Sequence, residues 1–285
     1  MYSLRKDSRA LFFDAHSIRL SDMDSLYFAS AGRSAVGLIR NGNEDGALTH
    51  PQLIAVADGM GGHAGGEIAS SIALQILARR ASVFLDAQID PDSADDFYNS
   101  TIEEIDLALK AASDEDPKLS GLGTTLTALF IRNNQAALLH VGDSRAYRIR
   151  GAAIEQLSVD HTVMQELLSA GTITPAEVAE HPQRSMLTQA LMGSGTLSIA
   201  LHIFDIKESD RFILCSDGLS GVLSDKEIKS LVKSQSPEDS VAALVDATYI
   251  NGAPDNVTVI VADLVTSEIT DSPSQLIQLF GTASS

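Results

Sequence analysis

Six short apolar runs, each bounded by turn-forming residues, place the strongest constraint on the fold of this chain. The runs are Leu53–Ala57, Thr124–Ile131, Ala136–Val141, Ala146–Arg150, Arg211–Cys215 and Val257–Ala262. Runs of this length and composition are typical of buried β-strands. Neighbouring runs follow one another as in hairpins, and helix-like segments stand between the groups. We therefore predict an antiparallel-rich α/β layered fold and not a regular alternation of strand and helix.

Four other segments predict helices. They are Glu67–Arg80, Ala94–Ser113, Ser224–Lys233 and Pro237–Tyr249. The first ends in two arginines, which suit the negative end of a helix dipole. The patterned sequence predicts one domain over residues 28–265, an extension over 1–27 and a C-terminal tail over 266–285. Whether the apolar island Leu276–Phe280 in that tail docks on the domain or on a partner stays open.

The charge balance disfavours two classes of partner. The chain has 38 acidic and 20 basic residues, which gives a formal net charge of −18. A nucleic-acid-binding surface needs clustered basic residues to displace counterions from phosphates. An acidic protein is also repelled by anionic lipid. We therefore expect neither nucleic acid nor a membrane as a partner.

Cysteine usage and hydropathy bear on location. The one cysteine, Cys215, allows no intramolecular disulfide, and we interpret it as a packing residue. The N-terminus lacks the apolar stretch of a signal peptide, and no segment approaches the roughly 20 apolar residues of a spanning helix. We predict a cytoplasmic protein and expect a monomer.

Aspartates fall at the ends of the predicted strands. They are Asp58, Asp143, Asp217 and Asp255. Each one alone has a simpler explanation, because Asp-Gly is a strong hairpin-turn signal and Gly142-Asp143 has the pattern of an ordinary hairpin corner. Together they predict a cluster of like charges at one edge of a sheet, which is unfavourable unless a cation lies among them. Oxygen ligands of this kind favour hard cations such as magnesium, manganese or calcium.

Two loops add groups that suit phosphate chemistry. Residues 57–67 contain five glycines, so their backbone can pass close to a ligand and offer carbonyl oxygens. His63 in this loop can donate a proton to a leaving group near neutral pH. Arg40 is the residue type that binds phosphate through paired hydrogen bonds, and the acids Glu44 and Asp45 follow it.

Taken in order, these motifs resemble the type 2C family of metal-dependent serine/threonine protein phosphatases, in its bacterial branch. The matching blocks are Arg40…Glu44-Asp45, Asp58-Gly59…His63, Gly123-Thr124-Thr125, Gly142-Asp143-Ser144-Arg145, Ser216-Asp217-Gly218 and Asp255-Asn256. The resemblance covers about Phe28 to Val265. It implies an α/β (α+β) layered sandwich, in which two packed antiparallel β-sheets are flanked by helices on both sides.

The resemblance also implies a binuclear centre of magnesium or manganese at one end of the sandwich. Asp58 would bridge both ions, and the Gly59 carbonyl would complete the coordination of one. Asp217 and Asp255 would hold the other ion. Asp143 with Asp217 resembles a third, weaker metal site.

Further roles follow from the same resemblance. Glu44 and Asp45 would act through bound waters or near them. Arg40 would hold the phosphate oxygens, and His63 would act as general acid. The segment of about 160–195 matches the variable flap of the family, in which we interpret Asp160 as a structural residue and not as a metal ligand.

These features predict an enzyme that hydrolyses phosphorylated serine and threonine residues in proteins and opposes a bacterial serine/threonine kinase. Three alternatives stay open. A phosphatase-like pseudoenzyme that binds a phosphoprotein or regulator is less favoured because all the expected acids are present. A metal-dependent phosphodiesterase or nuclease is disfavoured by the acidic chain. A regulatory phosphatase that acts on one small protein antagonist would share the chemistry and have a narrower choice of substrate.

Overall fold

The computed structural model describes residues 26–61, 65–84, 94–132, 134–178, 181, 183, 186–195, 197, 199, 201–266 and 276–284. The strands are β1 (Leu26–Ala35), β2 (Asp45–His50), β3 (Leu53–Met60), β4 (Gly123–Thr124), β5 (Leu126–Arg132), β6 (Gln135–Val141), β7 (Arg145–Arg150), β8 (Ala153–Gln156), β9 (His202–Asp205), β10 (Arg211–Cys215), β11 (Val257–Thr266) and β12 (Gln278–Gly281). The helices are α1 (Gly65–Phe84), α2 (Ala94–Glu115), α3 (Val163–Ser169), α4 (Pro175–Val178), α5 (Asp217–Ser220), α6 (Asp225–Leu231) and α7 (Pro237–Ile250).

The strands form two antiparallel sheets. One has the order β1-β11-β10-β7-β8, and the other has the order β12-β2-β3-β5-β6-β9, with β4 paired to β3. Apolar side chains from both sheets, among them Phe28, Ile54, Leu129 and Phe212, form one buried cluster between them. Helices α1 and α2 cover the outer face of the second sheet, and α5, α6 and α7 cover that of the first. The predicted fold, two packed sheets with helices on both sides, is confirmed.

Strand β3 explains why the first apolar run has no polar positions. Leu53, Ala55 and Ala57 face α1 and α2, whereas Ile54 and Val56 face the other sheet. Successive side chains of a strand point to opposite faces, and here both faces are covered. A central strand of a sandwich with helices outside therefore appears in sequence as a continuous apolar run.

The Gly142-Asp143 corner is not a hairpin, so that interpretation was wrong. Strand β6 pairs with β5 and β9, whereas β7 pairs with β10 and β8 in the other sheet. The chain crosses between the sheets at this point. Gly142 takes a φ of +104°, and a Cβ on it would lie 2.5 Å from the Thr125 side chain. The crossover therefore needs glycine, and it carries Asp143 to the edge where both sheets end.

The apolar island near the C-terminus docks on the domain. Gln278–Gly281 pairs antiparallel with β2 and forms the edge strand β12. The division of the chain at residues 27 and 265 stays a proposal, with this strand now attached to the domain between them. None of the helices described here is both long and apolar enough to cross a membrane.

Candidate metal centre

One edge of the sandwich brings together acids from both sheets. Asp45 and Asp58 are direct partners on β2 and β3, at the end of that ladder. From the other sheet, Ser216 follows β10 and donates a hydrogen bond of 2.7 Å to the Asp45 carboxylate. Ser216 directly precedes α5, which places Asp217 in the first turn of that helix. The strand ends therefore converge as the sequence predicted.

The pKa values of these acids report their mutual repulsion. Burial raises the pKa of Asp58 well above its ordinary value, and the charges of Asp45, Asp217, Asp143 and Asp255 raise it further. These four charges raise the pKa of Asp58 because all four lie near it. The predicted acids thus form one electrostatic unit.

Two other acids have a pKa near neutrality. Burial raises the pKa of Asp45 to about 7, against hydrogen bonds with Ser216 and Thr258 that lower it. Burial and the nearby charge of Asp217 raise the pKa of Asp143 to about 7. The pKa of Asp217 is also raised, first by burial and then by Asp255. An added positive charge would lower all of these pKa values.

The chemistry of the donor set fits hard divalent cations. The groups are carboxylates and backbone carbonyls, without a described cysteine or histidine among them, and their negative charge is in excess. Within the described ranges, no three acidic, histidine or cysteine side chains are already arranged around one point as a ligand set. The carboxyl groups of Asp45 and Asp217 instead interact directly with that of Asp58. Binding of cations would replace these contacts between carboxyl groups.

Close backbone packing explains both Asp-Gly pairs. A Cβ on Gly59 would lie 2.0 Å from the Gly66 carbonyl oxygen, and a Cβ on Gly218 would lie 1.8 Å from the Asn256 carbonyl oxygen. Neither glycine is in the left-handed region, so neither serves a hairpin turn. Both are required because another segment passes directly against the residue that follows the aspartate.

Arg40 lies at the border of the acid cluster. Its guanidinium is 2.7 Å from the Asp255 carboxylate and 3.7 Å from that of Glu44, and its side chain is 48% exposed. Solvent or a ligand can therefore reach this cation. Because Asp255 is itself a predicted metal ligand, Arg40 occupies in this structure a carboxylate that a cation would also bind.

Asn256 holds the loop that carries Arg40. Its amide donates to the carbonyls of Val36, at 2.7 Å, and Gly42, at 2.8 Å, while its oxygen accepts from the Glu44 N–H at 2.8 Å. The side chain is almost fully buried, and it spans the loop from both ends. Asn256 appeared in the sequence only as part of a motif, and its buried amide gives it a specific part in the site.

Buried hydroxyls support Asp58 and Asp45. Thr125 Oγ1 accepts from the Asp58 N–H at 3.0 Å and is 2.8 Å from Ser144 Oγ. Ser216 Oγ contacts Asp45 and accepts from the Thr258 N–H at 3.1 Å. Sequence reasoning did not single out these hydroxyls as site residues. The available signal was their position, since each directly flanks a predicted acid or lies across the ladder from one.

Two side chains near the site, Asp160 and Cys215, have contacts typical of structural residues. Asp160 makes a two-pronged contact with the Arg145 guanidinium, with distances of 2.7 to 3.0 Å, as expected of a structural residue. Cys215 is fully buried, and burial raises the pKa of its thiol to about 12. A thiol of this kind is not a nucleophile at neutral pH, which supports its interpretation as a packing residue.

His63 lies outside the described residues, so its predicted role stays a prediction.

A groove of about 620 Å³ borders the acid edge. Asp143, Asp217 and Asp255 line it, together with residues of α3 and α4 in the predicted flap. Apolar side chains such as Met164 and Leu168 contribute to the same lining. The acids are thus reached from an open groove of a size that suits part of a polypeptide.

Comparison with known proteins identifies the family. A profile described as protein phosphatase 2C matches residues 44–257. The serine/threonine protein phosphatase PstP of Mycobacterium tuberculosis is 38% identical over 244 residues, which are 85% of this chain and 46% of that protein. The serine/threonine phosphatase stp of Listeria monocytogenes is 30% identical over 240 residues, which are 81% of this chain and 94% of that protein.

A solved structure agrees with this assignment. The catalytic domain of the phosphatase PstP, in complex with two manganese ions, has a TM-score of 0.76 and 36% identity, and the match covers 85% of this chain and all of that one. The chain therefore belongs to the protein phosphatase 2C family, as its motifs predicted. It spans less than half the length of the mycobacterial PstP protein.

Proposed function

We propose that this protein hydrolyses phosphoserine and phosphothreonine monoesters in other proteins, at the acid edge, with the help of divalent cations. The observation that carries the proposal is the meeting of Asp45, Asp58 and Asp217 from two sheets beside the exposed cation of Arg40. A phosphate monoester carries up to two negative charges, and this edge already has an excess of them. Productive binding therefore requires added positive charge.

Manganese or magnesium fits that requirement, in two ions and a third, weaker one. Asp58, Asp217, Asp255, Asp143 and the Gly59 carbonyl would hold them, with Glu44 and Asp45 acting through water or nearby. Bound there, the cations would supply Lewis acidity, which lowers the pKa of a water molecule and offsets charge on the phosphate oxygens. The family relationship and the manganese ions in the PstP structure support this part of the proposal.

The side chains of the chain then have separate tasks. Arg40 would exchange its contact with Asp255 for the phosphate oxygens, since its guanidinium fits them equally well and its side chain is exposed. His63 would donate a proton to the departing seryl or threonyl oxygen. Asn256 would hold the loop that carries Arg40, and the buried hydroxyls would hold Asp58 and Asp45, so these groups would stay in position during the reaction.

The groove suits a phosphorylated segment of a protein. It is open, it is larger than a phosphate group needs, and three of the proposed metal ligands line it. We further propose a cytoplasmic monomer that opposes a serine/threonine kinase. The unpaired, buried Cys215 and the strongly acidic composition are compatible with that setting.

The test is release of phosphate from a phosphothreonine peptide, with and without manganese, by the wild type and by Asp217→Asn. We expect manganese-dependent release that falls by at least about 100-fold in the variant. Asp263→Asn is the matched control, because Asp263 pairs with Arg211 away from the acid edge, and it should keep full activity. Absence of release by the wild type, with manganese bound, would support a phosphatase-like binding module instead.

A further inference from the structure

The C-terminal strand ends beside the candidate metal centre. Strand β12 pairs with β2 from Gln278 opposite Thr49 to Gly281 opposite Gly46, the residue after Asp45. The family match ends at residue 257, so this strand lies outside the part of the chain that the family profile covers. This C-terminal segment thus borders Asp45, one of the predicted site residues, and reaches Glu44 through hydrogen bonds.

A chain of hydrogen bonds joins this segment to the site. The buried Thr282 places its Oγ1 2.8 Å from Ser70 Oγ, and Ser70 Oγ lies 2.6 Å from the Glu44 carbonyl oxygen. Ser70 Oγ lies within hydrogen-bond distance of three carbonyl oxygens, those of Glu44, Gly66 and Glu67, and its one proton goes to the nearest, that of Glu44. Thr282 therefore donates to Ser70, and each bond in the chain strengthens the other.

The backbones of the two segments are also in close contact. Gly281 has a φ of +62°, and a Cβ on it would lie 2.3 Å from the Asp45 carbonyl oxygen. A Cβ on Gly46 would lie 2.8 Å from Thr282 Oγ1. Neither contact leaves room for a methyl group, so the C-terminal segment packs directly against the Asp45-Gly46 peptide.

The backbone of Glu44 makes hydrogen bonds with several segments of the site. Besides the hydrogen bond from Ser70, the Glu44 carbonyl oxygen accepts one of 3.1 Å from the Gly59 N–H, and it thus fixes the residue after Asp58. On its other side, the Glu44 N–H is held by Asn256. Asn256 therefore fixes the N–H of Glu44, Gly59 and Ser70 fix its carbonyl oxygen, and Thr282 of the C-terminal segment bonds in turn with Ser70.

We propose that Thr282 is a positioning residue for the candidate metal centre and acts through Ser70 on the backbone of Glu44 and Asp45. The C-terminal segment then sets the cation affinity of the site, in addition to closing the edge of the sheet. This inference rests on the proposed function, because it assumes that the acid edge binds divalent cations.

Calorimetric titration of the full chain with manganese tests the inference. Thr282→Val keeps the shape of the side chain and removes the hydroxyl, and we expect it to weaken manganese binding by about threefold to tenfold. Thr282→Ser keeps the hydroxyl and should restore the wild-type affinity. Ser70→Ala should repeat the effect of Thr282→Val.

Ile228→Val separates positioning from stability. Ile228 lies on α6, is fully buried and is remote in the fold from the C-terminal strand. Its loss of one methylene should lower stability about as much as Thr282→Val does. It should leave manganese affinity unchanged. Equal affinity in Thr282→Val and the wild type, or an equal loss in Ile228→Val, would overturn the inference.

Manganese binding and phosphate release together separate the positioning role of Thr282 from the phosphatase activity. If the wild type binds manganese and releases no phosphate, the phosphatase proposal fails, while a weaker affinity in Thr282→Val still supports the positioning role. If the wild type hydrolyses phosphopeptides and Thr282→Val binds manganese normally, only the positioning role fails. A wild type that binds no manganese overturns both.

Discussion

Asp45 on β2 lies directly opposite Asp58 on β3, so two carboxyl groups from neighbouring strands face the same side of the sheet. Like charges in that arrangement destabilise an antiparallel pair. Asp45 is only 1% exposed, so water does little to screen the repulsion. The pair is retained at an edge where three more aspartates converge, which we explain by the binding of cations.

This pair predicts an unusual dependence of stability on pH. The pKa of Asp45 is about 7 in the folded chain, against an ordinary value of 3.8. The folded chain then binds more protons than the unfolded one between these pH values, so the free energy of unfolding falls as pH rises through that window. Urea unfolding in the presence of a chelator should show this slope, and Asp45→Asn should reduce it. Parallel pH profiles of the two proteins would contradict the assignment, and saturating manganese should flatten the wild-type slope.

The contact between Arg145 and Asp160 predicts a variant that separates stability from metal binding. Asp160 is 11% exposed, and Asp160→Asn would leave the Arg145 guanidinium without a charged partner. We expect a loss of about 2 kcal/mol in the free energy of unfolding, measured in urea. Manganese affinity should stay at the wild-type value, because Asp160 is bound to Arg145 and serves a structural role. A large loss of manganese affinity would make Asp160 a ligand.

Asn256→Ala should impair phosphate binding from a distance. The variant loses three hydrogen bonds to the loop that carries Arg40, so the guanidinium would no longer be held at the acid edge. We expect kcat/KM on a phosphopeptide to fall by about tenfold or more. Asn251→Ala is the control, because Asn251 also donates from its side chain but lies at the exposed end of α7. Similar losses in both variants would indicate a general effect of stability.

His63→Ala tests the proposed general acid through the leaving group. Seryl and threonyl oxygens need a proton as they depart, whereas the oxygen of an activated aryl phosphate does not. The variant should therefore lose about 100-fold or more on a phosphopeptide and much less on an aryl phosphate. Steady-state rates on the two substrates provide the measurement. Equal losses would count against a proton-donating role for His63.

Local patterns in the sequence predicted the central strands well. The run Arg211–Cys215 is β10 with the same ends, and Val257–Ala262 is the first part of β11. These strands are covered on both faces, so an apolar composition suffices to mark them. The run Thr124–Ile131 was predicted as one strand, but it divides into β4 and β5 because Thr125 turns towards Asp58 and accepts its N–H.

The edges of both sheets were less visible in the sequence. Strand β8 alternates between exposed and partly buried positions over only four residues, and β9 is mostly exposed. Strand β12 looked like part of a tail, because its pairing with β2 joins residues more than 200 positions apart. Contacts of that kind depend on the whole fold, and no local pattern contains them.

Local sequence patterns likewise predicted some residues of the candidate site and missed others. The acids were predictable from their positions at strand ends, where side chains with a ligand-binding role sit on rigid elements. The supporting groups were not, because Asn256, Ser216 and Ser70 act through contacts between segments that are distant in the chain. Small polar residues of this kind are common in any sequence, and only their burial and their partners single them out.

Manganese binding by Asp58→Asn, compared with the wild type by calorimetry, shows whether these buried acids form one cation site. Asparagine keeps the shape of the side chain and removes the charge that faces Asp45 and Asp217. We expect the wild type to bind at least two ions and the variant to bind them at least about 100-fold more weakly. Undiminished binding of the same number of ions by Asp58→Asn would show that Asp58 is not part of a cation site.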